Sequence, residues 1–148
     1  MGRFITRGWL ALAMMVGLPA EAACPAPWAM WEGFAQRWVQ ADGRVLESSL
    51  KANHSTSEGQ SYALFFALVG NDRARFAQIW RWSRENLAGN DPEHRLPGWL
   101  WGQGADGVWE IQDRNAASDA DLWFAYALLE ADRLWQVPAY RADGLALL

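Results

Sequence analysis

Apolar side chains recur at spacings of three and four residues in five stretches of the chain, and this periodicity predicts five helical segments. They lie between Trp28 and Gly43, Ser57 and Gly70, Asn71 and Gly89, Ser118 and Pro138, and Ala139 and Leu148. The tight turn at Gly70-Asn71 predicts that the second and third segments form an αα-hairpin. The short stretch 44–47 is expected to be extended, and the polar stretch 51–56 is expected to be a loop.

The same periodicity predicts which side chains face the core. In the second segment Tyr62, Phe65, Phe66 and Val69 follow on one face. In the fourth segment they are Leu122, Ala125, Tyr126, Leu129 and Leu134. Helical stripes also assign four tryptophans to core packing, namely Trp28, Trp31, Trp80 and Trp135.

Three helix starts carry residues that commonly cap helices. Ser57 is predicted to cap the second segment, with Gln60 as the returning partner of a capping box. Asn71 is predicted to cap the third segment. Ser118 is predicted to cap the fourth, with Asp121 at the third helical position.

Residues 90–116 differ from the helical segments, because they contain four glycines, two prolines and three tryptophans. Two apolar runs, 99–101 and 108–111, flank a glycine-rich stretch. This pattern predicts a small β-hairpin or a long ordered loop near 95–116. Long loops inside compact domains usually have a functional role.

The N-terminus has the three parts of an export signal. Arg3 and Arg7 precede an apolar run that ends at Pro19, and Ala20-Glu21-Ala22 supplies a small-x-small cleavage pattern. We therefore expect residues 1–22 to be a signal peptide, and the mature protein to be periplasmic or secreted with no membrane segment.

Composition excludes several classes of protein. The chain has 148 residues and a net charge of −4, which disfavours nucleic acid as the main partner. A single cysteine precludes an intrachain disulfide, and His54 and His94 lack metal-ligand spacing, so we expect no metal or other cofactor. The chain is unusually rich in tryptophan, with 11 residues of this type.

Two acidic motifs stand at predicted helix starts, and they carry the candidate chemistry. One is the segment 56–62, which contains Glu58, and the other is the segment 117–121, which contains Asp119 and Asp121. Carboxylates in a first turn often serve only as caps, because the helix dipole favours them there. However, Asp119 and Asp121 point about 200° apart on a helix and cannot serve one cap.

The tryptophans near these motifs add a second indication. Indole faces pack on pyranose rings, and carboxylates accept hydrogen bonds from sugar hydroxyls. Four tryptophans lie in or beside the loop that leads to the second motif, namely Trp99, Trp101, Trp109 and Trp123. Glycoside hydrolysis needs two carboxyl groups across the scissile bond, one of which must hold a proton. Glu58 could fill that role only if burial or a neighbouring carboxylate outweighs the helix dipole.

At these residues the chain resembles glycoside hydrolase family 8, and in particular the periplasmic endoglucanases that accompany bacterial cellulose synthase. The segments that carry the resemblance are 56–62, 95–102 and 117–135. The chain departs from the family pattern at Phe124, where isoleucine or methionine is usual, and this core-type position leaves the active site unaffected.

The resemblance implies an all-α fold, in which residues 23–148 form the N-terminal part of an (α/α)₆ barrel. It implies endo-hydrolysis of β-1,4-glucan with inversion at the anomeric carbon. Glu58 would be the general acid, and Asp119 would bind the distorted sugar. Substrate binding would involve Tyr62, Trp99, Trp101, Trp109 and Asp121.

The family's general base is an aspartate in the later half of the barrel, and we expect this chain to end before it. The 148-residue chain would then be inactive by itself. The resemblance also suggests an association with the cellulose synthesis and export machinery.

Three other interpretations stay open. The chain could be an exported glucan-binding module without catalysis, or a module that docks on a partner chain. A polysaccharide lyase would need a tyrosine, histidine or arginine base, and His54 lies close to Glu58 in sequence. A single loop histidine is, however, expected to be solvated.

Overall fold

A computed structural model describes residues 28–47, 49 and 53–148. The predicted signal peptide at 1–22 lies outside the described residues. The elements in chain order are α1 (Ala29–Trp38), β1 (Ser55–Thr56), α2 (Ser57–Val69), α3 (Arg73–Asn86), β2 (Gly98–Gln103), β3 (Trp109–Ala116), α4 (Ser118–Trp135) and α5 (Pro138–Ala146). The five predicted helices are confirmed, and residues 95–116 contain a hairpin of two strands.

Helices α2 and α4 lie side by side and run parallel. Tyr62 and Trp123 have ring centroids 6.1 Å apart, and Phe65 contacts both Trp123 at 4.7 Å and Tyr126 at 6.1 Å. Because later residues of α2 meet later residues of α4, the two N-termini lie at the same end. This places Glu58 and Asp119, both in first turns, at that common end.

Helices α3 and α5 form a second layer that packs behind the first. The Trp80 ring of α3 packs on Phe124 of α4 at 5.6 Å, and its indole nitrogen donates a 2.7 Å hydrogen bond to Asp143 of α5. Phe76 contacts Tyr140 of α5 at 5.1 Å. The chain therefore contains two αα-hairpins, α2–α3 and α4–α5, which pack side by side. Their first helices form one layer and their second helices form the other. This is part of an (α/α)₆ barrel.

The core lies between the two layers, and small side chains of α2 and α4 form much of it. The buried residues of these helices include Ala63, Leu64, Ala67, Leu68, Ala120, Phe124, Ala127, Leu128 and Ala131. The predicted core faces were therefore wrong in part. Three residues of the fourth segment that were predicted to face the core are exposed, namely Leu122, Tyr126 and Leu134. Tyr62, Phe66 and Val69 on the shared face of α2 are exposed as well. Close packing of α3 and α5 on these helices favours alanine there. Apart from Phe124 and Trp135, the aromatic side chains of α2 and α4 lie on the opposite face.

Of the four tryptophans assigned to the core, Trp31 and Trp80 are buried, and Trp135 packs half-buried against the core. Trp28 is an exception, because it is 37% exposed at the start of α1.

All three predicted caps were wrong by one residue. Thr56, and not Ser57, caps α2 by accepting from the Gly59 amide at 3.1 Å. Asp72, and not Asn71, caps α3 through the Arg75 amide at 3.0 Å. Helix α4 begins at Ser118 after Ala117 and has no side-chain cap.

Gln60 is consequently not a capping partner but a buried link between elements. Its side chain accepts from the Val45 amide and donates to Ser83 Oγ at 2.8 Å and to the Gly43 carbonyl at 3.3 Å. These bonds fasten the segment before β1 to α2 and α3.

The three strands form an antiparallel sheet in the order β1-β2-β3. The polar stretch expected to be a loop thus ends in a short strand, in which Ser55 pairs with Trp101 and Thr56 with Leu100. Register shifts on either side of Leu100 bend β2. Because β1 leads directly into α2, this pairing holds the hairpin beside the first turn that carries Glu58. Across the described ranges, no helix is long and apolar enough to cross a membrane.

Candidate active site

Glu58 lies in the first turn of α2 and is held from two sides. The indole nitrogen of Trp99 donates a 2.9 Å hydrogen bond to Oε1. The hydroxyl of Ser57 donates at 3.2 Å to Oε2. The residue as a whole is half-buried. The structure places the Trp99 indole on the candidate acid, and the sugar contact predicted for Trp99 stays a prediction.

Asp119 lies in the first turn of α4 and is bound by α2. The phenol of Tyr62 donates a 2.9 Å hydrogen bond to Oδ2 of Asp119. This bond raises the pKa of the Tyr62 phenol, because ionisation would place two negative oxygens side by side. The fixed carboxylate keeps Oδ1 as an acceptor for another partner.

Asp121 is only 5% exposed, and its Oδ1 has no hydrogen-bond partner in the described part of the chain. Burial raises its pKa to about 6, and the negative charges of Asp119 and Glu58 add to the effect. The N-termini of α2 and α4 lie at the same end, and Tyr62 of α2 binds Asp119 of α4, so the two acidic motifs are neighbours. We call Glu58, Asp119 and Asp121 the carboxyl cluster. A buried carboxyl group does not itself offer a surface for substrate, so direct substrate binding by Asp121 stays a prediction.

Two cavities flank this cluster on the exposed aromatic face of α2 and α4. One of about 400 Å³ is lined by Phe65, Asp119, Leu122, Trp123 and Tyr126. The other, of about 290 Å³, reaches Tyr62, Phe66 and Gly59. The exposed aromatic face of α2 and α4 therefore forms the walls beside the carboxyl groups. Aromatic walls with a few polar groups are typical of a ligand site.

Trp101 and Trp109 do not join the carboxyl cluster through the contacts of the described residues. They stack on each other, with ring centroids 4.9 Å apart and an interplanar angle of 21°. Trp101 also meets the edge of Trp82 at 5.2 Å, and the Arg44 guanidinium lies 5.1 Å from both stacked rings. Arg44 and Trp82 were not predicted from the sequence, because neither is near these tryptophans along the chain.

His54 is buried, contrary to the expectation that a loop histidine is solvated. It lies before β1, and a side-chain carbon on Gly102 would lie 2.4 Å from its ring. It thus packs against the hairpin, which is a structural role. No group of three or more potential metal ligands occurs among the residues that the structure describes.

Comparison with known proteins agrees with this arrangement. The family model of glycosyl hydrolases family 8 matches residues 1–148. The chain belongs to this family. An endoglucanase of Pseudomonas fluorescens is 56% identical over 139 residues, which are 94% of this chain and 34% of that protein.

Solved structures show the same relationship. The endo-1,4-D-glucanase of Vibrio fischeri matches with a TM-score of 0.78 and 48% identity, covering 81% of this chain and 34% of that one. The endo-β-1,4-glucanase CMCax of Acetobacter xylinum matches with a TM-score of 0.70 and 34% identity. The match covers 80% of this chain and 36% of that one. The chain spans about a third of the length of the curated relatives it matches.

Proposed function

We propose that the protein to which this chain belongs is an endo-β-1,4-glucanase, in which Glu58 is the general acid. The proposal rests on the carboxyl cluster, in which Trp99 holds Glu58 at 2.9 Å and Tyr62 holds Asp119 at 2.9 Å on neighbouring parallel helices. The three relatives compared above are all named as endoglucanases or endo-1,4-glucanases. These names support β-1,4-glucan as the substrate class.

In this mechanism the protonated Glu58 gives its proton to the glycosidic oxygen as the bond from that oxygen to the anomeric carbon breaks. A water molecule adds to the anomeric carbon from the opposite face and gives up its proton to a general base. Inverting enzymes place the two carboxyl groups about 6.5–9.5 Å apart to hold that water. We infer that the base lies outside this chain.

Asp119 would accept hydrogen bonds from the sugar at the cleavage point. Tyr62 leaves one oxygen of this carboxylate free and fixes its direction. A positioned acceptor favours the distorted ring, because its hydrogen bonds strengthen in the transition state. Tyr62 would then position Asp119 through its phenol and contact the substrate through its ring.

We further propose that residues 1–22 direct export, so that the enzyme works in the periplasm or outside the cell. The support is the pattern of a basic start, an apolar run and a small-x-small site. An association with cellulose synthesis and export is proposed on the resemblance alone. Fractionation of cells that produce the tagged protein tests the location, and recovery from the cytoplasm alone would contradict it.

The test of catalysis measures reducing-end release from soluble carboxymethylcellulose. It compares residues 23–148 with a polypeptide extended to the length of the relatives. We expect release by the longer protein only, and a loss of at least about 10²-fold with Glu58→Gln. Glu85→Gln is the matched control, because Glu85 is exposed on α3 away from the cluster. Equal activity of Glu58→Gln and the parent would refute the assignment of the acid.

A glucan-binding module without catalysis is the second candidate, and the stacked tryptophans favour it. It predicts that the longer protein binds cellohexaose but releases no reducing ends. The lyase interpretation loses the support of His54, because this residue is buried against the hairpin.

A further inference from the structure

A cavity of about 710 Å³ lies between the end of α3 and the base of the β2–β3 hairpin. Its walls come from the turn after α3, the stretch that leads into β2, and strand β3. No residue of the carboxyl cluster lines it. Small-molecule sites in proteins have volumes of about 300–1,000 Å³, so this cavity has the size of a ligand site. We call it the arginine cavity, because Arg95 and Arg114 line it.

The charged side chains in the walls of this cavity are both cationic. Among the described residues that line it there is no aspartate or glutamate. Within the described part of the chain, neither the Arg95 nor the Arg114 guanidinium forms a hydrogen bond or an ion pair. The chain as a whole has a net charge of −4, so this cavity is a local exception. Guanidinium groups bind carboxylate and phosphate through paired hydrogen bonds, and an oxyanion is therefore the group that fits between them.

Gly89 gives the Arg95 side chain a defined place in the cavity. Its backbone has φ of +61°, and a side-chain carbon added there would lie 3.3 Å from Nη1 of Arg95. The guanidinium therefore lies over the glycine, where a larger residue would crowd it. The Arg95 amide also donates a 3.0 Å hydrogen bond to the Asp91 carbonyl, which fixes the backbone. A group that is already held loses less entropy when a ligand binds.

The negative groups nearest to Arg95 already have partners. The Leu87 carbonyl after α3 accepts a 3.0 Å hydrogen bond from the Gly98 amide. The Asp91 carboxylate pairs with the His94 ring at 2.9 Å. This hydrogen bond is the main cause of the lowered pKa of Asp91, and the charge of Arg95 adds to it. Because Asp91 does not line the cavity, the Arg95 guanidinium stays available to a ligand there.

The remaining walls of the arginine cavity are mainly apolar. Leu87 and Ala88 are buried, whereas Leu96 is 48% exposed and Ile111 is partly exposed. A ligand that covered Leu96 and Ile111 would remove apolar surface from water, which is favourable. The ligand therefore needs an apolar body beside its oxyanion. A neutral, hydroxylated sugar chain has no charge for the two arginines, so the cavity is chemically distinct from the candidate active site.

We propose that the arginine cavity is a binding site for a small organic anion. A carboxylate or phosphate group of the ligand pairs with Arg95 and Arg114, and its apolar body contacts Leu96 and Ile111. This inference does not rest on the proposed function, because it uses neither the carboxyl cluster nor the identity of the substrate.

The experiment titrates the chain with hexanoate and follows the backbone amide resonances by NMR. We expect saturable binding, with the largest shifts at residues that line the cavity, such as Gly89 and Gly98. Hexanol lacks the charge and acetate lacks the apolar body, so each should bind at least about 10-fold more weakly. A parallel titration with hexyl phosphate shows whether the site prefers a phosphate or a carboxylate. Hexanol that binds as tightly as hexanoate would overturn the proposal.

Substitution of the arginines locates the site. Arg95→Gln and Arg114→Gln should each raise the Kd for hexanoate at least about 5-fold, because each loses a charged hydrogen bond. Both side chains are exposed, so we expect both variants to fold. Arg37→Gln, which changes an exposed arginine of α1, is the matched control and should bind like the parent.

Three results would overturn the assignment of this cavity. They are the absence of saturable binding by the parent, unchanged binding when both arginines are replaced, and displacement of hexanoate by cellohexaose. The last result would place the cavity within the glucan site.

Discussion

The Tyr62 phenol donates a 2.9 Å hydrogen bond to Oδ2 of Asp119 and so joins α2 to the first turn of the parallel helix α4. These residues are 57 positions apart in the sequence. The bond fixes the direction of a carboxylate that is otherwise exposed. It also links the aromatic wall to the carboxyl cluster.

Replacing Asp119 by asparagine should lower the pKa of the Tyr62 phenol toward its ordinary value. The hydrogen bond to the Asp119 carboxylate is the main cause of the raised pKa, and the nearby negative charge adds to it. Spectrophotometric titration of tyrosine ionisation measures this shift, and the difference from Tyr62→Phe assigns the signal. An unchanged titration of Tyr62 in Asp119→Asn would show that the bond does not form in solution.

Removing the phenol itself should have a small effect on stability. We expect Tyr62→Phe to lower the free energy of unfolding by less than about 1 kcal/mol, because the bond is exposed to solvent. In the longer protein, the same variant should reduce kcat, since Asp119 would lose its fixed direction. Tyr126→Phe is the control, because Tyr126 lies on the same aromatic face.

The buried carboxyl of Asp121 should make stability depend on pH. Its folded-state pKa is about 6, against an ordinary value of 3.8. A raised pKa means that the folded state binds the proton more tightly, so this stabilisation is complete below about pH 4 and is lost as pH rises through about 6. The loss would be at most about 3 kcal/mol.

Urea unfolding between about pH 4 and pH 8 tests this expectation. Asp121→Asn should remove most of the decline and be more stable than the parent above about pH 7. The control is Asp132→Asn, the same change further along α4, which should keep the decline. If the free energy of unfolding of Asp121→Asn still declined as pH rises, another group would be responsible for the decline.

Trp99→Phe tests the indole contact with Glu58. The variant keeps an aromatic ring but removes the N–H group that donates at 2.9 Å. Glu58 becomes a carboxylate as it gives up its proton, and hydrogen bonds to charged groups contribute about 1.5–3 kcal/mol. Loss of this stabilisation in the transition state should lower kcat of the longer protein at least about 10-fold. Trp28→Phe, outside the cluster, should leave kcat unchanged. A normal kcat in Trp99→Phe would limit the role of Trp99 to packing.

Gln60→Leu should be the most destabilising of these changes. It removes the acceptor of the Val45 amide and the donor to Ser83, and leaves buried polar groups unpaired. We expect the free energy of unfolding to fall by about 3 kcal/mol. Gln36→Leu on the exposed face of α1 is the control. Chemical denaturation measures the stability of both variants. If Gln60→Leu were as stable as the parent, the hydrogen bonds of Gln60 would be dispensable for stability.

Local signals along the chain were sufficient to locate the five helices and the hairpin. Helical periodicity and the glycines that end helices act over a few residues, so they can be recognised without tertiary contacts. The motifs around Glu58 and Asp119 are equally local, and both carboxyl groups could be selected from the amino-acid sequence alone. The tryptophans of residues 99–109 were also identified as unusual in a loop.

Helix packing determines which face of each helix is buried, and this could not be predicted. Periodicity shows that Tyr62, Phe65 and Phe66 share a face, but α2 has apolar residues on several faces. Close packing against α3 selected the side with Ala63 and Leu64 for burial. The caps also shifted by one residue, because Thr56 and Ser57 are both capping residue types and only the structure shows that the Gly59 amide donates to Thr56.

The site itself depends on contacts between residues distant in sequence. Trp99 reaches Glu58 across 41 positions, and Trp82 and Arg44 meet Trp101 from separate elements. The burial that raises the pKa of Asp121 likewise depends on how α4 packs. Such contacts follow from helix packing and strand pairing, and they cannot be predicted from a local pattern of residues.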